Sequence, residues 1–231
     1  MRFALQVAGW LVGLPLELLI ISALLRGGYR RYPFIFIYIV IDFLTTVLEI
    51  PSALEYVRGV HQATTPLAPL YWIDEIVEQV LMYAVVLSLI YGATRHLRSR
   101  RVVRGSLIVA AVLIAGISFL MHYSPALNRG SWMTPWTRDL NFCSAILDLG
   151  LWALLIASRG RDRQVLLLSG ALGIKFAGES IGESVRQLAI RTRSRPISLT
   201  GNVIIMLSDV FFLYVWWQGL RNPEPKTVAR N

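Results

Sequence analysis

The 231-residue chain is 55% hydrophobic and only 16% charged, with a mean hydropathy of +0.55, which lies outside the range of soluble globular domains. Lysine and arginine outnumber the acids by 23 to 14, yet the basic residues sit in short clusters between long apolar runs. That pattern excludes a nucleic-acid groove and points to loops at an anionic membrane surface. The single Cys143, inside an apolar run, excludes an intramolecular disulfide and a thiolate metal site.

A membrane span needs about 20 mostly apolar residues. Seven stretches qualify: residues 3–25, 33–50, 70–92, 105–122, 136–158, 165–190 and 198–220. The first is too long for a signal-peptide core and contains Glu17, so it is read as a retained span. The second is expected to continue as a surface helix through Val57, broken or kinked at Pro51. The sixth is the least hydrophobic, which makes six spans the competing count. The expected fold is an all-α integral membrane protein, a single seven-helix bundle over residues 1–220. The tail 221–231 reads as a disordered cytoplasmic extension.

Lysine and arginine in the short loops set the expected orientation. One side collects fourteen of them, including Arg26, Arg30 and Arg31, the cluster Arg95 to Arg104, Arg159 to Arg163, and Arg221. The other side has seven. The amino terminus is therefore expected outside and the carboxyl terminus in the cytoplasm, in a bacterial inner membrane. Aromatics near span ends, such as Tyr29, Tyr32, Trp136 and Trp217, fit an interfacial belt. An offset of about 65 residues pairs Asp74 with Asp139 and Gly105 with Gly170, a weak internal echo that composition alone can produce.

The arginines are mostly in loops, whereas the carboxylates are mostly in spans. At 1.5 Å per residue, Asp42, Asp148, Lys175 and Asp209 fall near the middle of their spans, with Glu17 about one turn away. Each such group costs about 2.5–3.5 kcal/mol at a helix centre. They are expected to converge on the bundle interior, where Lys175 neutralises one carboxylate and the others are protonated, hydrated or paired with a bound cation. Span two carries Tyr38, Asp42, Thr45 and Glu49 on one stripe; span five carries Asn141, Ser144 and Asp148; span seven carries Ser198, Asn202 and Asp209. Span one offers Gly9 and Gly13 in a spacing that favours close packing, and span four, with no internal charge, is expected at the lipid-facing edge.

Span six is the most polar. Lys175, Glu179, Glu183 and Arg186 lie within about 80° of one helix face, flanked by Gly178 and Gly182. The pairs Lys175/Glu179 and Glu183/Arg186 have ion-pair spacing, and Asp209, Asp148 or Glu179 is the expected counter-charge of Lys175. With Asp74 and Glu78 opening span three, an acidic polar cavity opening outward is inferred. The expected binding residues are Asp42, Glu49, Asp74, Glu78, Asp148, Lys175, Glu179, Glu183, Arg186 and Asp209.

Other chemistries fit less well. Gly178-Glu179-Ser180-Ile181-Gly182 matches the Gly-x-Ser-x-Gly pattern of serine hydrolases, but that pattern needs a strand-to-helix turn and this match lies within a helical run. His61, His96 and His122 are too scattered for a zinc site. A carboxylate-only cation site through Asp42, Asp74, Glu78 and Asp148 is conceivable. Retinal proteins carry their Schiff-base lysine in the last helix, and span seven has none. No cofactor or metal is expected.

The leading expectation is a protein that binds or transports a proton, a cation or a small cationic solute. The alternative is a non-catalytic sensor or assembly subunit that contacts a partner through its arginine-rich loops. A lipid-acting enzyme using outer-half carboxylates is the third reading. Expected partners are anionic lipid at the arginine-rich loops, a small cationic ligand, and a protein partner or second copy, with no nucleic acid.

Overall fold

The computed structural model describes residues 2–57, 68–94, 100–123, 129–157 and 163–221. They form seven long helices with no strand among them: α1 Arg2–Leu25, α2 Pro33–Val57, α3 Ala68–Ala93, α4 Arg100–His122, α5 Arg129–Ala157, α6 Arg163–Thr192 and α7 Arg195–Arg221. All seven are long and apolar enough to cross a bilayer, as a polytopic membrane protein requires. His61, residues 95–99 of the Arg95–Arg104 cluster (His96 among them) and the tail from residue 222 lie outside the described residues.

The boundaries follow from local chemistry. Gly27, at φ 128°, turns the chain after α1 in a conformation that a side chain would strain. A single 3₁₀ turn, Gly28–Arg30, follows, and Pro33 opens α2, where a missing N–H costs nothing. Pro51 does not end α2, which continues as one helix to Val57. At the far end of α6, Arg193 takes a left-handed φ of 50°, and the Ser194 N–H donates to the Ala189 carbonyl at 3.1 Å. This Schellman-type cap leaves only two residues between α6 and α7, so the two run back to back.

The chain divides into two compact units, residues 1–33 with 154–231, and residues 34–153. In the first unit α7 packs against both α1 and α6; α6 is the most buried of the three, with half of its span buried against 17% for α1 and for α7. Its polarity is therefore compensated by protein contact, and the helix that is least apolar still has a span's length. The seam with α7 is close. A Cβ built on Gly182 would lie 2.9 Å from the Gly201 carbonyl oxygen and against Ile205, and one on Gly201 would lie 2.8 Å from the Gly182 oxygen. A Cβ on Gly178 would collide with Ser208. The expected tight packing at Gly9 and Gly13 is not found: a Cβ on Gly9 would sit 3.6 Å from Met206, and one on Gly13 3.6 Å from the Glu17 carboxylate, both ordinary contacts.

At one end of this unit the buried Gln164 ties three segments together. Its side-chain oxygen accepts from Arg31 at 2.9 Å and Tyr32 at 3.4 Å, while its amide donates to the Gly219 carbonyl at 3.0 Å. The end of α1, the start of α6 and the end of α7 therefore meet there. One helical stretch deeper, the fully buried Trp216 donates its indole N–H to the Leu168 carbonyl at 3.0 Å. These contacts set α1 parallel to α7 and antiparallel to α6.

In the second unit, the Tyr38 hydroxyl on α2 donates to Glu78 on α3 at 3.3 Å. The Tyr83 hydroxyl on α3 donates to the Ala111 carbonyl on α4 at 3.1 Å. Arg104 stacks 3.8 Å from the Tyr91 ring centre and donates to the Tyr91 carbonyl at 2.8 Å, so α3 and α4 are antiparallel. Most of α4 is exposed, with 12% of its span buried, as expected of a helix whose arginines, Arg100, Arg101 and Arg104, are confined to its first turns and whose interior carries no charge.

Candidate functional site

The distinctive polar centre of the first unit is built from α6 and α7. Lys175 is buried, and its ammonium sits 2.8 Å from Glu179 Oε1, one turn along α6, and 3.1 Å from Asp209 Oδ1 on α7. The Phe212 ring, one turn beyond Asp209, has its centre 5.6 Å from the same nitrogen. One cation is thus shared by two carboxylates and one aromatic face.

The depth of this cluster is fixed by the helices. Lys175 lies within one residue of the centre of the span Arg163–Ala189, and Asp209 within one residue of the centre of Arg195–Arg221. The α6–α7 hairpin register brings the two centres level: Gly178 faces Ser208 three residues along α6, and Leu168 meets Trp216 on the other side. Glycines at 178, 182 and 201 let the backbones approach, which shortens the reach from Lys175 to Asp209. The ion-pair partners differ in access, with the Lys175 side chain 9% exposed and that of Asp209 37%.

Glu183 and Arg186 form a separate pair at 2.6 Å on the exposed surface of α6. It lies one to two turns from the cluster. Glu17 on α1 is buried at 4% exposure, two residues from the centre of its own span. With Gly9 level with Met206 and α1 parallel to α7, Glu17 lies about 7 Å further along the unit's axis than Asp209 at 1.5 Å per residue.

The remaining expected residues belong to the second unit. Asp42 sits at the centre of its span on α2, half-buried, and its backbone carbonyl accepts from Thr45 at 3.0 Å. Glu49 is half-buried two turns further on. Glu78 receives the Tyr38 hydroxyl, and Asp148 on α5 is buried at 3% exposure, two residues from its span's centre. The side chain of Asp74 lies outside the described residues. Among the described residues no three His, Cys, Asp or Glu side chains are placed to hold a metal ion. Ser180 of the Gly-x-Ser-x-Gly match lies within α6, away from any strand-to-helix turn.

Two polar groupings were not legible in the sequence. Gln164 with Arg31, Tyr32 and Gly219 joins residues more than 130 positions apart. In the second unit, Asp139 Oδ2 accepts from Ser118 at 2.7 Å and lies 3.9 Å from His122 Nε2. The other ring nitrogen of His122, Nδ1, is 3.2 Å from the Ser118 carbonyl.

Fold and composition define the class, a polytopic helical membrane protein with ionisable side chains at mid-span. Comparison with protein-family models, curated proteins and solved structures gives no match, so any finer reading rests on this chain's own residues.

Proposed function

We propose that the protein binds or transports a proton, a cation or a small cationic solute, and that the Lys175–Glu179–Asp209 cluster is its binding centre. The carrying observation is one buried ammonium held between two carboxylates at the centre of two apolar spans. With all three groups ionised the cluster has one negative charge more than it can neutralise. An isolated charge at that depth costs about 2.5–3.5 kcal/mol on insertion scales, so uptake of one positive charge is favourable. Asp209 is the accessible member, and a ligand that engages it competes with Lys175 for the same carboxylate.

The same logic applies within the second unit. Asp42 on α2 and Asp148 on α5 are mid-span carboxylates that a proton or cation can neutralise, with Glu49 toward the end of α2 and Asp74 and Glu78 toward the start of α3. We place the arginine-rich ends of the helices in the cytoplasm of a bacterial cell, against anionic lipid. Glu183 and Arg186 then lie on the outward side of the cluster, where an exposed ion pair flanks the entry.

Flux of protons and monovalent cations into proteoliposomes tests the proposal. Neutralising Asp42, Asp148 and Asp209 together, each to Asn, is expected to abolish binding and flux, with Asp209→Asn alone responsible for the larger part. Unchanged binding and flux in the triple variant overturns it.

A further inference from the structure

The second unit contains a groove of about 540 Å³ between α3 and α4, closed at one end by Trp136 of α5. Its floor is small side chains, Ala84, Ala111, Ala115 and Gly116. Its two polar side-chain atoms are already committed: the Tyr83 hydroxyl donates to the Ala111 carbonyl, and the Trp136 indole N–H donates to the Ala115 carbonyl at 3.3 Å. What remains is hydrocarbon surface, and the rim residues Val80, Ile108 and Val112 are exposed within membrane-spanning helices. The groove therefore opens to the acyl region of the bilayer, not to water.

Its dimensions and its end groups narrow the occupant. From Phe119 to Ile108 it runs about 16 Å along α4 at 1.5 Å per residue, spread evenly about the centre of the Arg104–His122 span, so it crosses from one leaflet into the other. It starts one turn from the end of the α4 span and passes the span's centre, so a chain lying in it is extended. At the starting end, the Phe119 ring stacks on Tyr123 at 5.2 Å and meets Trp136 edge-on at 5.4 Å. Such rings sit at headgroup level in membrane proteins. Level with them, three residues inside the α5 span, is the Asp139 carboxylate, 38% exposed, which accepts one hydrogen bond from Ser118, lies 3.9 Å from His122 and has acceptor sites to spare.

We propose that this groove holds one acyl chain of a phospholipid whose head carries a primary ammonium, with that ammonium set against Asp139. The chain fills the Ala/Gly floor, and the head takes the remaining acceptor positions of a carboxylate that Ser118 already orients. This site is independent of the Lys175 cluster, and the failure of either leaves the other untouched.

The test uses the full chain in vesicles of phosphatidylcholine containing a phosphatidylethanolamine probe with a photoactivatable diazirine on its acyl chain, with adducts mapped by peptide mass spectrometry. Adducts are expected to concentrate on α3 and α4 groove residues relative to the exposed outer face of α4 at Leu113 and Leu120. Gly116→Leu fills the groove, and a Cβ there meets nothing within 4 Å, so the fold is kept while groove adducts fall to the outer-face level. Val112→Trp on the rim gives a second block at an independent position. Asp139→Asn is expected to remove the preference for an ethanolamine over a choline probe while leaving the chain adducts. Adducts spread evenly over groove and outer face would mean ordinary annular lipid and overturn the proposal. So would efficient disulfide cross-linking of Gly116→Cys between two copies without lipid adducts, because a second chain would then occupy the groove.

Discussion

Replacing Gly182 by alanine adds one methyl where the backbones of α6 and α7 already touch. The new Cβ would lie 2.9 Å from the Gly201 carbonyl oxygen and against Ile205. A backbone oxygen cannot rotate away as a flexible side chain can, so the helices must separate or bend, and overpacking of this kind costs about 1–3 kcal/mol. Alanine also gains about 1 kcal/mol over glycine in helix propensity, which masks part of that cost. Gly150→Ala on α5 supplies the correction, because its Cβ meets nothing within 4 Å and it gains the propensity term alone. In unfolding titrations in detergent micelles, Gly182→Ala should fall below Gly150→Ala by about 1–3 kcal/mol. If the two variants unfold together, the α6–α7 seam is not the close contact described, and the short reach from Lys175 to Asp209 loses its support.

Other outcomes follow from single contacts. Gly178→Ala should destabilise, and Ser208→Gly should restore the loss in the double variant, since the collision is with the Ser208 side chain; a double-mutant cycle in the same titration measures the coupling. Arg193→Gly should stabilise by about 1 kcal/mol, because φ 50° carries a penalty for any residue with a Cβ; a lower melting midpoint would contradict the cap assignment. Gln164→Leu removes the acceptor for Arg31 and Tyr32 and the donor to Gly219, and should cost about 1–3 kcal/mol, read as earlier thermal unfolding. Lys175→Met leaves Glu179 and Asp209 at mid-span without their shared cation; expression in the membrane fraction should drop, and adding Asp209→Asn to it should recover part of the yield.

Much of this architecture is local, and that is why it was legible. The seven apolar runs, the spacing of Lys175 with Glu179 and that of Glu183 with Arg186 depend only on residues within a turn or a span of one another. Asp209 was one of three named counter-charges for Lys175, because depth along each helix can be counted but the rotation of one helix toward another cannot. The glycines show the limit clearly. Gly9/Gly13 and Gly178/Gly182 have the same spacing, yet only the second pair makes a close seam, because it faces Gly201 and Ser208 whereas Gly9 faces Met206. Spacing reports how small one ridge is; packing distance depends on both. Gln164 was missed for a related reason. A lone amide beside a basic loop carries no periodic signal, and its partners are Arg31 and Gly219. The small floor of the α3–α4 groove was equally silent, since alanines in an apolar helix read as filler until the facing helix leaves them uncovered.

Thermal unfolding of the purified protein from pH 5 to 9, against a panel of cations and small cationic solutes, with Asp209→Asn beside the wild type, tests the cluster most directly. A ligand that binds only the folded state raises stability by about 2.7 kcal/mol at a hundredfold excess over its dissociation constant. The account predicts that a rise in midpoint, produced by a cation or by protons, occurs in the wild type and is lost in Asp209→Asn. An equal rise in both proteins, or none in either, would contradict a binding centre at Lys175, Glu179 and Asp209 and leave those residues as a structural ion pair.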